Sequence, residues 1–256
     1  MNQELVWEGD TPYGHYQIWD TLYDGRAARV LYSGERQAAQ SGTAKDGKPE
    51  LLFDYNQRVF ELLTSLQPKQ ILLIGGAVCT LPKALLDAMP DVRIDVVEPD
   101  AGLTRLAYDF FDLPVDERLR IFHADGRSFL QANSERYEVI LIDAFVHTAI
   151  PRELRTVEAF WAIADHLQPD GLLAMNVISC YHGSGSQLLR QIYAAVSQPF
   201  ASVDIFLASQ GYSLWLPQNF VLVAQKVADR LIQPYMRYEA VQPPEAHPNE
   251  ILHDVL

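Results

Sequence analysis

After residue 50, the apolar positions alternate between two spacings. Over 50–66, Leu51, Tyr55, Val59, Leu62 and Leu66 stand three or four apart, which is one face of a helix. The run 70–74 is continuously apolar after Gln70, as expected of a strand buried on both faces, and Gly75-Gly76 closes it. Helical spacing returns over 81–89, and a second strand over 93–97 ends in Glu98-Pro99-Asp100. A helix over 102–111 stops ahead of Pro114, and a strand over 119–123 leads into Asp125-Gly126 and a short helix. The strand 138–142 ends at Asp143; a helix over 156–166 stops at Pro169-Asp170-Gly171, ahead of a strand over 172–177. Strands that alternate with helices predict an α/β domain, a parallel sheet covered on both faces. A helix over 186–197 and β-like runs over 202–208 and 220–224 follow; the short gap between the runs, with Gly211 and Pro217, predicts an antiparallel pair.

Ahead of this domain, residues 13–31 are rich in aromatic and β-branched side chains, with Asp24-Gly25 in the middle. Asp-Gly between two such runs predicts a hairpin, because both turn positions tolerate positive φ. Residues 41–49 (SGTAKDGKP) are a polar connector. The expected organisation is a small β-module over 1–49, a Rossmann-like domain over 50–227 and a proline-rich, irregular arm over 228–256. No internal repeat is visible.

Composition narrows the partners. Twenty Lys+Arg against 33 Asp+Glu give the 256-residue chain a net charge of −13. A field of that sign repels phosphate backbones and favours cations such as an amine or a sulfonium, so nucleic acid is not the expected partner. No apolar run approaches the ~20 residues of a membrane helix, and the first residues lack a secretory pattern. Two cysteines, Cys79 and Cys180, are too few for a disulfide framework or a metal cluster. A cytoplasmic protein is expected, without a membrane partner.

Ligands of an open parallel sheet bind beyond the carboxyl ends of its strands. Four such ends carry informative residues here: Gly75-Gly76, Glu98, Asp125-Gly126 and Asp143. Glycines admit a ligand close to the backbone. Glu98 is placed to accept both hydroxyl protons of a ribose, Asp125 to accept from an adenine amine, and Asp143 to hold a reacting group. Singly, each has a plainer reading as a tight turn, a helix-end acid, an N-cap or a strand-end acid; together they predict an adenosine-type site. ILLIGGAVCTLPKAL lacks both G-x-G-x-x-G and the G-K-[ST] of a phosphate loop, which points to a nucleoside without phosphates, such as S-adenosylmethionine. His182 follows a strand and reads best as a solvated loop residue. No second acid accompanies Asp143 before Glu153, so a metal is not expected.

From about Tyr13 to Ala224 the sequence resembles the spermidine synthase family. YGHYQIWDTLYDGRAARVLYSGERQ resembles its N-terminal β-domain, with Gly34 and Gln37 on the Gly-x-x-Gln segment, and ILLIGG, VVEPD, ADGRSFL and YEVILIDAF follow in the family's order. The resemblance implies a class I methyltransferase fold: a seven-stranded, mostly parallel sheet with an antiparallel C-terminal strand. It implies aminopropyl transfer from decarboxylated S-adenosylmethionine to a small-molecule amine, and a homodimer. It also implies Gln37, Gly75, Gly76, Glu98, Asp125 and Gly126 at the nucleoside, Tyr55 beside the substrate and Asp143 as the base. His147, whose ordinary pKa is near 6.5, is a second candidate base at the substrate, with an exposed loop residue as its plainer reading. Two family acids are replaced. The loop G-G-G-D-G becomes Gly75-Gly76-Ala77-Val78-Cys79, and the second acid of D-S-S/T-D-P becomes Val146. Methyl transfer from S-adenosylmethionine and a non-catalytic nucleoside-binding relative are therefore the alternatives.

Overall fold

The computed structural model describes residues 3–34, 38–46, 51–145, 149–209, 211–227, 240–245 and 248–254. Gln37, Val146 and His147 lie outside the described residues.

The chain opens with a four-stranded antiparallel sheet of β1 (Glu4–Thr11), β2 (Gly14–Tyr23), β3 (Arg26–Ser33) and β4 (Ala38–Ala44), in that order. Asp24 (φ 47°) and Gly25 (φ 78°) make the β2–β3 turn, both left-handed as the Asp-Gly signal requires. The expected connector is instead a strand over half its length. Ser41 to Ala44 pair with β3, where Gly42 permits an approach that no side chain would: a Cβ there would stand 2.9 Å from Leu52 Cδ2 and 3.1 Å from the Arg29 carbonyl. Close backbone packing, invisible in a polar Gly-containing string, overrides the loop propensity.

The main domain then runs α1 (Asp54–Leu66), β5 (Gln70–Ile74), α2 (Thr80–Ala88), β6 (Arg93–Val97), α3 (Ala101–Phe110), β7 (Leu119–Phe122), α4 (Gly126–Ala132), β8 (Tyr137–Ile142), α5 (Val157–His166), β9 (Leu167–Ser179), α6 (Gln187–Val196), β10 (Ser202–Leu207) and β11 (Gln218–Gln225). A two-residue strand β12 (Ala240–Val241) follows. The sheet order is β12-β10-β11-β9-β8-β5-β6-β7, parallel from β9 to β7 and antiparallel where β11 pairs with β9 and with β10. The expected seven strands form its body, and β12 adds a short edge within the region read as irregular.

β5 shows why the apolar runs are continuous. Ile71 and Leu73 join the cluster under α1, α2 and α3, while Leu72 and Ile74 join the one under α4, α5 and α6. Each fully buried side chain of this size stabilises by roughly 1.5–3 kcal/mol. Helix starts follow local chemistry: Asp100 caps α3 through the Gly102 N–H, Asp125 caps α4 through Ser128, and Thr156 caps α5 through Ala159. β9 begins at Leu167, ahead of the expected start, and passes through Pro169-Asp170-Gly171. A register shift between Tyr137 and Val139 of β8 absorbs these breakers, and a Cβ on Gly171 would meet the Glu138 carbonyl at 3.0 Å.

The N-terminal sheet packs on the main domain. Ile18 and Leu31 share a cluster with Val59 and Leu81. Thr11 Oγ1 donates to Asp100 Oδ2 at 2.6 Å, and Arg29 donates to the Phe110 carbonyl at 3.0 Å. At the other end, residues 248–254 strap across α5 and α6. Arg190 pairs with Glu250 and Arg127 with Asp254, each at 2.8 Å, while the Val157 N–H donates to the Leu252 carbonyl. Among the described residues, no helix is long and apolar enough to cross a membrane.

Candidate functional site

A cavity of about 760 Å³ opens between the N-terminal sheet and the carboxyl ends of the parallel strands. It centres on the turns after β5 and β8, where the strand order reverses. The two turns touch. A Cβ on Gly75 (φ 92°) would lie 2.4 Å from the Asp143 carbonyl oxygen, and one on Gly76 would lie 2.5 Å from Val96 Cγ1. Gly126 is equally constrained, 2.5 Å from Ile74 Cγ2. All three glycines line the cavity.

Glu98 is buried at the end of β6 and ties the glycine turn down. Its Oε2 accepts from the N–H groups of Gly76 (3.0 Å) and Ala77 (2.9 Å), and its Oε1 from Asp100 (3.0 Å). Burial pushes its carboxyl up against the pull of these three donors. Asp125 lines the same cavity and caps α4; the Ser128 bonds hold its carboxyl low.

Asp143 sits at the cavity floor. Its Oδ2 accepts from the Tyr55 hydroxyl at 3.0 Å and its Oδ1 from Asn176 Nδ2 at 2.9 Å. Asn176 Oδ1 in turn accepts from Asn219 Nδ2 at 2.9 Å. Burial pushes Asp143 up to about 6, although both donors favour its charge, and burial also raises the Tyr55 phenol well above its ordinary value. A carboxylate with that proton affinity, walled by apolar groups, is suited to take a proton near neutral pH.

The lining carries one sign of charge. Among the described residues it includes seven carboxylates and no Lys or Arg, and its basic group, His15, bridges Asp10 (2.8 Å) and Glu8 (3.1 Å). Such a wall attracts cations. His182 stands apart from the cavity, packed on Tyr181 and Trp215 at 4.7 and 5.2 Å between ring centroids. Among the described residues, no three His, Cys, Asp or Glu converge as metal ligands.

A probable polyamine aminopropyl transferase of Bifidobacterium longum is 30% identical over 200 residues, 78% of this chain and 42% of that protein. Among solved structures, a probable spermidine synthase from Corynebacterium glutamicum superposes with a TM-score of 0.80 at 20% identity, covering 99% of this chain and 98% of that one. The chain is related to the spermidine synthase family. A putrescine N-methyltransferase of Nicotiana tabacum is 24% identical over 205 residues, 77% of this chain and 54% of that one. The chain spans about half the length of these two curated relatives, and no protein-family model matches it.

The glycine turn departs from the letters of the spermidine synthase pattern and still uses left-handed backbone. Ala77 (φ 44°) and Cys79 (φ 55°) are left-handed although neither is glycine. Val78, at the position of the family's acid, is buried with Cys79 in the core, and neither lines the cavity. Burial lifts the Cys79 thiol to about 12, which leaves it inert. Asn176 and Asn219 escaped the sequence reading. The available signal was a lone amide inside the apolar run LLAMNVIS of β9; Asn219, beside Gln218 at the start of β11, carried none.

Proposed function

We propose that the chain transfers an aminopropyl group from decarboxylated S-adenosylmethionine to a small-molecule amine. The observation that carries this reading is Asp143, a buried acid held by Tyr55 and Asn176 at the floor of an acid-lined cavity. The glycine cradle and Glu98 would hold the adenosine, with the remaining capacity of the Glu98 carboxylate directed at the ribose hydroxyls. Asp125 would accept from the adenine amine. The acceptor nitrogen attacks the carbon beside the sulfonium, the carbon–sulfur bond breaks, and its electron pair leaves on a neutral thioether, methylthioadenosine. Asp143 takes the proton that the new ammonium sheds. The protein's contribution is chiefly alignment and charge.

Methyl transfer from S-adenosylmethionine is the second reading, favoured by the burial of Val78 away from the cavity, where the family has an acid. Incubation with putrescine and each donor separates the two. Release of methylthioadenosine from the decarboxylated donor supports aminopropyl transfer, release of S-adenosylhomocysteine from the other supports methyl transfer, and binding without either product leaves a non-catalytic relative. The same kinship leads us to propose a homodimer in a reducing cytoplasm, where Cys79 and Cys180 stay free. A monomer by light scattering at micromolar concentration would contradict the dimer.

A further inference from the structure

Asp125 and Gly126, at the adenine end of the proposed site, open α4 and line the cavity; Arg127, the next residue, does not. Arg127 is largely buried and pairs with Asp254 Oδ2 at 2.8 Å, while its Nη1 is buried without a hydrogen-bond partner. Among the described residues, Asp254 is therefore the carboxylate that answers this charge.

The second element at this end is the short turn Arg152–Leu154 ahead of α5. Pro151, Glu153 and Leu154 line the cavity, and the buried Leu154 packs over Gly126, where a Cβ would stand 3.2 Å from Leu154 Cδ2. Flat apolar rings are held by such contacts as much as by polar groups, so the spacing of Gly126 and Leu154 bears on the fit of a base.

Both elements are tied to one residue of the strap. Asp254 Oδ1 accepts from the Thr156 hydroxyl at 2.7 Å, and that hydroxyl oxygen caps α5 through the Ala159 N–H at 3.2 Å. One carboxylate thus joins the first turn of α4 to the start of α5. Its surroundings reinforce the clasp: Arg152 donates to the His253 carbonyl at 3.0 Å, and Glu158 accepts from the Asp254 N–H at 2.9 Å. Leu252, His253 and Asp254 themselves do not line the cavity.

We propose that Asp254 is a positioning residue for the nucleoside: through Arg127 and Thr156 it fixes Gly126 and Leu154 at the adenine end without touching the ligand. The proposal rests on the adenosine-site reading and adds to it a point of control outside the cavity. Without the Asp254 carboxylate, the Arg127 charge has no partner beside Gly126 and must turn toward water, which shifts the first turn of α4. The α5 cap loses the acceptor that orients its hydroxyl.

Calorimetry with methylthioadenosine on the full chain tests this, with circular dichroism to show that each variant is folded. Asp254→Ala should weaken binding about tenfold, the scale on which residues remote from a ligand alter its affinity. Asp254→Asn, which can still accept from Thr156, should lose less. Arg127→Leu added to Asp254→Ala should cost little more, because both break one link. Glu250→Ala controls for general loosening of the strap. It breaks the pair with Arg190 of α6, so it should lower the melting temperature and leave methylthioadenosine affinity near the wild-type value. In turnover with the decarboxylated donor, Asp254→Ala should raise KM for that donor by a similar factor while kcat at saturation holds. The calorimetric comparison decides even where no amine turns over. Equal affinity in Asp254→Ala and wild type, or an equal loss in Glu250→Ala, overturns the proposal; additive losses in the double variant overturn the link through Arg127. A wild type that binds no methylthioadenosine refutes the adenosine-site reading, and the proposal falls with it.

Discussion

At Asp143, stability and activity pull in opposite directions. Its proton affinity rises from the ordinary 3.8 to about 6 on folding. Between those values the native state binds more protons than the unfolded chain, so stability falls as pH rises through them. Above about pH 6, the buried charge costs folding on the order of 2–3 kcal/mol. Asp143→Asn can keep both bonds, accepting from Asn176 and donating to the Tyr55 oxygen. It should therefore melt higher than wild type at about pH 8, with the gap closing near pH 4, while turnover drops roughly 10²–10⁴-fold. Parallel melting curves across pH would refute this. In the wild type, kcat should decline as pH falls through about 6, as the proposed base becomes protonated. Glu98→Gln tests a different balance. The amide would turn an N–H toward the donor of Asp100 or of Gly76 and Ala77, so it should lose about 1–3 kcal/mol of stability together with methylthioadenosine affinity. Loss of neither would remove Glu98 from the site. Glu98 and Asp143 were legible because strand ends expose them in the sequence pattern. Asn176 and Asn219 were not, since an amide within or beside an apolar run does not reveal which group it faces.

The glycine turn shows how an element can be tested against its own letters. Ala77 occupies a left-handed conformation that costs a side chain about 1 kcal/mol or more. Ala77→Gly should raise stability by up to about 1 kcal/mol in chemical denaturation, whereas Gly75→Ala should destabilise by more than about 2 kcal/mol, because its Cβ would meet the Asp143 carbonyl. A stable Gly75→Ala variant would mean that the turns after β5 and β8 are not in contact. β5 and β6 span the residues their apolar runs predict. β4 and the start of β9 were hidden for a common reason: glycine and proline read as breakers until a neighbouring strand or a register shift makes room for them.

Across the whole molecule, the N-terminal sheet is fastened to the main domain by apolar packing and a few polar contacts, and residues 248–254 chiefly by polar contacts. A chain ending at residue 245 loses Glu250 and Asp254, leaving Arg190 and the largely buried Arg127 without those carboxylates. Thr156 Oγ1 loses its 2.7 Å bond to Asp254 and the Val157 N–H its bond to Leu252. Its stability should fall by about 1–3 kcal/mol, and an unchanged melting temperature would show that the strap contributes nothing. The hydrogen-bonded line from Tyr55 through Asp143 and Asn176 to Asn219 has a further result for motion. It joins α1, the end of β8, β9 and β11, so relaxing any one group disturbs four elements of the core. Deuterium should enter the backbone amides of β8 and β9 around Asp143 only through global opening, while the solvent-facing β2–β3 turn exchanges early. The cavity would then combine a floor that holds for as long as the protein stays folded with a mouth that rearranges on every encounter.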